Sequence, residues 1–423
     1  MTDFENTDYF TDPALVDDPF PFFEHLRAQC PVTHLAHHGV IGITGYDEAS
    51  EVWRDHTTFS SCNAVTGPFP GLPVRPEGDD ANAVIDEHRD VFPMAEYLIT
   101  QDPPAHDDSR GILNRLLTPR RLQDSEPYVT TLADQLIDGL LERGTFEVQH
   151  DFGHPFAMLV ITELLGLPEV DRREFAAQLG VEHPEPGVGG SQKMSKDPLR
   201  FLLDTFAAYI EARRREPLDD VLTQLAAATG SDGRPVDVAI VSRTAAFIFA
   251  AGQDTTARLI AASLRIIAEN GEIQRRLRQE PGLVADFIEE VLRMDGPVKT
   301  VSRMARVTTS VGGVAIPAGT TLAIFPHATN RDPSRFDDPN EFRIGRPNVR
   351  EHLAFGRGIH ACPGGALARI EARIAIERLL ARTSSIGVSE VHHGPADARR
   401  FEYVPTYILR GINALHLVAS PAT

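Results

Sequence analysis

Phe355-Gly-Arg-Gly-Ile-His-Ala-Cys-Pro-Gly364 places one cysteine, Cys362, inside a glycine-rich turn that runs straight into a helical pattern over Gly365–Arg382. Gly356, Gly358 and Gly364 allow backbone angles closed to other residues and let a flat ligand approach the main chain. A thiolate just ahead of a helix amino terminus is stabilised by the helix dipole and the unpaired first-turn amides, which also temper its electron donation to a metal. A lone cysteine in a tight turn is ordinarily a half-buried structural residue. Here the surrounding residues reverse that reading and make Cys362 a candidate metal thiolate.

The rest of the chain agrees with one reactive thiolate. Only Cys30 and Cys62 accompany Cys362, too few for a disulfide framework and fewer than the four thiolates of an ordinary iron–sulfur cluster. With 423 residues, 42% of them hydrophobic, the chain can bury a large core. A net charge of -19 gives no basic footprint for nucleic acid and repels anionic lipid. The amino terminus MTDFENTDYF lacks the positive and apolar regions of a secretory signal. The most apolar stretch, residues 244–268, carries Gln253, Asp254, Arg258 and Arg265, which argues against a membrane span. A soluble, cytoplasmic protein with no membrane anchor is the expectation.

Apolar residues recur at helical spacing over residues 122–143, 198–215, 236–270, 272–294 and 365–382. Strand-like runs are shorter, at 40–44, 305–311, 320–324 and 414–418. Stretches 61–101 and 180–197 are rich in Gly and Pro and read as long functional loops. The pattern predicts a mainly α fold with small β-sheets (α+β), organised as one domain over 1–423 without a fused reductase.

The cysteine segment resembles the haem-binding loop of the cytochrome P450 family, F-G-x-G-x-H-x-C-x-G, at every specified position. Three further signatures carry the resemblance over nearly the whole chain. Ala251-Gly252-Gln253-Asp254-Thr255-Thr256 resembles the family's oxygen-binding helix, where a hydroxyl can re-bond a freed carbonyl and a carboxyl with a hydroxyl can relay protons. Glu290-Val-Leu-Arg293 matches E-x-x-R, whose spacing of three puts a carboxylate and a guanidinium on one helix face. Asp102-Pro-Pro-Ala-His106-Asp-Asp-Ser-Arg110 resembles the opening of the family's C helix. One position departs: many relatives read P-x-R-F where this chain has Pro339-Asn-Glu-Phe342, so Arg343 or Arg346 is expected to replace the missing arginine.

The resemblance implies a triangular helical body with haem b (iron protoporphyrin IX) held between the long helix and the cysteine-loop helix. It implies Cys362 as axial iron ligand, Asp254 and Thr255 as catalytic residues, and Glu290 with Arg293 as a structural pair. His106, Arg110, Arg303 and His360 are expected on the haem propionates, with Phe355 and Gly364 also against the cofactor. Substrate is expected against Phe247, Ala250, Ala251, Val298, Thr300, Val301, Ile408 and Leu409, under a roof from the two long loops, with Phe69, Val91, Phe92 and Met94 adding bulk. These apolar surroundings favour a hydrophobic small molecule of terpenoid, steroid or fatty-acid type. The implied reaction is monooxygenation by O2, with electrons from a separate ferredoxin and ferredoxin reductase docking near Arg115, Arg120, Arg121, Arg357 and Arg369. A haem-thiolate peroxygenase and a non-catalytic haem sensor or carrier are the alternative readings.

Overall fold

The computed structural model describes residues 4–168, 199–230 and 233–422. Its longest element is the helix Val238–Glu269, 32 residues and hence about 48 Å. The Asp237 carboxylate caps it, accepting from the Ala239 amide at 2.7 Å. Residues 244–249 and 256–261 are buried on every face, as befits a helix through the middle of a core, yet 250–255 are all partly exposed. The central helix is therefore less completely covered at its midpoint than on either side of it.

Helices His154–Leu165, Arg200–Arg215 and Gly365–Arg382 pack around this central helix, and Gly365–Arg382 is backed in turn by Pro119–Arg143 and Val284–Asp295. Local chemistry sets their ends. Pro119 opens its helix at a position that needs no amide donor, beside the Thr118 cap, and Gly144 closes it at φ +72°.

A five-stranded sheet flanks the helices in the order β1 (Val32–His34), β2 (Ile41–Ile43), β8 (Thr321–Ile324), β5 (Val301–Ala305), β3 (Phe59–Ser60). Only the β2–β8 pair is parallel, and Arg303 stands opposite Leu322. A second sheet pairs β4 (Thr145–Glu147) with β10 (His416–Pro421) and β10 with β9 (Thr383–Val388). β6 (Thr309–Val311) and β7 (Val314–Ile316) form a hairpin.

Three sequence expectations are corrected. The periodic stretch 272–294 is two helices, Gly271–Gln279 and Val284–Asp295, because Pro281 has no amide to continue the first. The run 305–311 spans the end of β5 and the start of β6, with Arg306 and Thr308 giving their amides to Thr58 and Asp79 in between. The stretch 61–101 is not structureless: it carries the helix Asn82–Glu87 and a turn at Arg89–Val91. The other long loop, 180–197, lies outside the described residues. Helix His154–Leu165 gave no sequence signal, since it is apolar around nearly its whole circumference and shows no amphipathic period.

Candidate active site

The cysteine loop is shaped by its own backbone and by the sheet side of the molecule. Gly356 and Gly358 have φ of +64° and +72°. A Cβ on Gly358 would lie 2.1 Å from the Trp53 carbonyl oxygen, so only glycine fits. Gly364, by contrast, has an ordinary φ of -82°, which any residue could adopt, so it does not play the conformational role expected of it. Its value is position: a Cβ there would lie 3.9 Å from the Cys362 sulfur. The Cys362 amide donates to the Phe355 carbonyl at 2.8 Å, fixing the loop across the cysteine.

Cys362 exposes its surface although protein surrounds it, which means that it faces an interior cleft rather than the outer boundary. Burial raises its thiol, while the Gly364 amide and the Arg110 guanidinium favour the thiolate. Cys62 is an inert contrast: burial pushes it up to about 11, and it packs on Met304.

Two adjacent carboxylates brace this loop from behind. Glu290 and Arg293 are fully buried and forked together at 2.7 and 2.8 Å. Arg293 also donates to the carbonyls of Asn330, Pro339 and Glu341. The missing arginine is replaced twice over: the Arg346 side chain reaches Glu290 at 3.3 Å and the Arg343 backbone amide at 2.9 Å. Glu289 receives His352 at 2.9 Å and Arg369 at 2.6 Å. Burial alone would raise Glu289, but these bonds bring it down to about 2. Arg369 also lies over the Phe355 ring at 4.5 Å, so this partly exposed cation is tied into the loop.

On the other flank, four basic side chains converge. The His106 and His360 rings meet at 4.6 Å, and Arg110 donates to the Ala361 carbonyl at 2.7 Å. Arg303 is buried with one bond, to its neighbour's carbonyl. His360 Nε2 is buried without a partner. Burial, then Arg303 and His106, drive His360 down to about 2, and burial lowers Arg303 to about 10. Asp102 attracts both, but Ser60, Ser61, Arg89 and Arg306 already hold that carboxylate. His106 is already paired, through Nδ1 with Asp107 at 2.9 Å and through Nε2 with the Ile359 carbonyl at 3.2 Å, so the unmet demand lies on Arg303 and His360, and the propionate carboxylates of a haem would answer it in charge and in hydrogen-bonding capacity.

On the central helix the Thr255 hydroxyl donates to the Ala251 carbonyl at 2.8 Å. The helix stays continuous here, so the expected opening takes the milder form of a side chain bonding back one turn. Asp254 points away from Thr255 toward Arg258, at 2.6 Å. The next residue, Thr256, donates to Glu371 on helix Gly365–Arg382 at 3.2 Å. Burial raises the Glu371 carboxyl well above the ordinary carboxylate range, only partly offset by Thr256. Sequence reading missed Glu371 and Glu289, since neither lies in a motif and each is defined by a partner remote in the chain.

The expected substrate residues fall into two groups. Phe247, Ala250 and Ala251 belong to the central helix, the alanines within its partly exposed segment. Val298 bridges Leu409, and the Ile408 carbonyl accepts from the Lys299 and Thr300 amides at 2.7 and 3.2 Å, so these two segments form one wall. Val298, Val301, Ile408 and Leu409 are partly exposed. Thr300 is only 2% exposed and its hydroxyl is engaged by Tyr9, so it stands behind this wall. Phe92 likewise turns into the small core around Cys62 and Met304, away from the roof expected of it.

A cysteine facing an interior cleft, an anion-seeking cluster beside it and a hydroxyl-bearing helix belong to the haem-thiolate monooxygenases. The family description "Cytochrome P450" matches residues 192–385. The chain is 31% identical over 369 residues to a putative cytochrome P450, YjiB, of Bacillus subtilis, covering 86% of each. It is 30% identical to 6-deoxyerythronolide B hydroxylase of Saccharopolyspora erythraea, over 96% of this chain and 98% of that protein. The substrate-free structure of Mycobacterium marinum cytochrome P450 CYP150A6 superposes with a TM-score of 0.94 at 52% identity, over 100% of both chains. The chain belongs to the cytochrome P450 family and is a haem-iron monooxygenase.

Proposed function

We propose that the protein binds haem b and inserts one oxygen atom from O2 into a hydrophobic terpenoid, steroid or fatty-acid-like molecule, using electrons from a separate ferredoxin and its reductase. The observation that carries this reading is an uncovered Cys362 in its glycine loop, flanked by Arg110, Arg303 and His360, of which His360 Nε2 is buried without a partner. Cys362 would hold the iron, and His106, Arg110, Arg303 and His360 the propionates, with Phe355 and Gly364 against the ring. Bound haem supplies the activation of dioxygen, with a thiolate ligand that favours oxygen–oxygen bond cleavage.

The chain's own residues manage protons and water. With its proton given to Ala251, Thr255 Oγ1 keeps lone pairs that can hold a water in the partly exposed segment. Asp254 passes protons from outside, and Glu371, whose carboxyl is pushed upward by burial, is held behind Thr256. The wall of Val298, Val301, Ile408 and Leu409 excludes water from an apolar substrate.

Docking of an acidic ferredoxin is supported by an open hollow of about 360 Å³ behind the cysteine loop, lined by Arg54, Arg350, Arg357 and Arg369. Exposed Arg115 and Arg120 extend the positive charge, against a net -19 for the whole chain.

The test is reconstitution with ferredoxin, reductase and a panel of apolar compounds, first screened by the change in haem spin state. The reduced carbon monoxide complex is expected to show the red-shifted band of thiolate ligation, and Cys362→His is expected to lose both that band and product. Product formation from hydrogen peroxide at an equal rate without reductase would favour the peroxygenase reading. Absence of the band in wild type would sink the thiolate assignment.

A further inference from the structure

The approach of helix His154–Leu165 to the central helix is built at one unusual turn. Gln149–Gly153 winds as a π-helix, a wide turn that recurs at functional sites. Gly153 ends it against the central helix, where a Cβ would lie 3.0 Å from the Ala257 side chain. This approach sets His154 opposite Asp254, with Nε2 4.0 Å from Oδ1. The other carboxylate oxygen is clamped by Arg258 Nε at 2.6 Å. His154 Nδ1 is buried without a hydrogen-bond partner, while 27% of the side chain still reaches solvent. One turn earlier, His150 is 76% exposed, its ring 5.9 Å from that of His154 and its Nδ1 2.8 Å from Glu147.

We propose that His154 loads protons from solvent onto Asp254, with His150 and Glu147 at the mouth of the inlet. The proposal rests on Asp254 serving the proton relay, and His154 acts through it. Protonated Nε2 releases its proton and Oδ1 takes it, directly after a small rotation or through one water. The N–H bond breaks as the O–H bond forms, the charged pair becomes a neutral pair, and no electron moves. Solvent then restores the proton to His154.

The electrostatics suit a group that loads and unloads rather than a permanent ion. Burial lowers His154 below its ordinary value, Asp254 opposes this, Arg258 and His150 add to the lowering, and Glu147 opposes it. His154 is therefore mainly neutral at pH 7, and its charged, donating form grows as the pH falls below about 6.5.

The experiment compares His154→Gln and Asp254→Asn in the full haem-loaded protein, each checked for haem content and the carbon monoxide band. Product per reductant consumed in wild type is expected to rise on acidification through the His154 titration. In His154→Gln this inflection disappears and turnover falls about 10-fold or more. In histidine-labelled, diamagnetic carbon monoxide complex, Asp254→Asn is expected to move the NMR titration of His154 to lower pH, because the charge favouring its cation is gone. Wild-type turnover and pH profile in His154→Gln overturn the inlet, while slowed turnover in Asp254→Asn keeps the relay itself. If both variants behave as wild type, the relay reading falls with the inlet.

Discussion

In the proposed relay, Thr255 is the side chain at which haem binding and catalysis are expected to separate. Its hydroxyl bonds the Ala251 carbonyl, which the helix already satisfies, so Thr255→Ala removes one redundant bond and a methyl. Haem content and substrate affinity should hardly change. Product should fall by about 100-fold while reductant consumption continues, the electrons appearing as hydrogen peroxide, because a positioned acid is typically worth that much. Unchanged coupling, measured as product per reductant, would remove Thr255 from the relay. Residues of this kind were legible because they sit in contiguous motifs: Cys362, Thr255, Glu290 and Arg293 could each be named from their neighbours. His154, Glu289 and Glu371 could not, since their chemistry comes from Asp254, Arg369 and Thr256, between 80 and 115 residues away in the latter two cases.

At the level of elements, periodicity found the amphipathic helices and failed where burial is complete. Pro119–Arg143 shows a polar face and was readable; His154–Leu165 is enclosed on nearly all sides and was not. Helix Val284–Asp295 links the segments around the cysteine loop, since Glu290 holds Arg343 and Arg346 while Glu289 holds His352 and Arg369. Glu290→Ala would strand Arg293 and Arg346, and Arg293→Ala would strand Glu290, in a place with no water. Either should cost roughly 3 to 5 kcal/mol and yield protein deficient in haem, read from the Soret absorbance per mole of chain. Normal haem content and urea midpoint in both would show the network to be dispensable.

For the molecule as a whole, the buried His327 resists protonation and is expected to contribute to acid sensitivity. His327 is 1% exposed, bonded through Nε2 to the Gly296 carbonyl at 2.6 Å, and burial followed by Arg410 drives it down to about 3. Its contribution is complete above about pH 6.5, where the unfolded chain is also neutral, and is lost as the pH falls toward 3. Wild type should therefore lose roughly 1.4 kcal/mol more stability than His327→Gln between pH 7.5 and 5.5, by urea unfolding. Parallel slopes would place the acid sensitivity elsewhere. The shared carboxylate of Glu290 has a different consequence, for recombination. Arg346 and the Arg343 amide occupy the place that many relatives fill from a P-x-R-F arginine, two solutions that differ by position along the chain. A chimera joined between residues 341 and 346 would inherit both guanidinium groups or neither, so productive crossovers with such relatives must leave residues 341–346 as one inherited block.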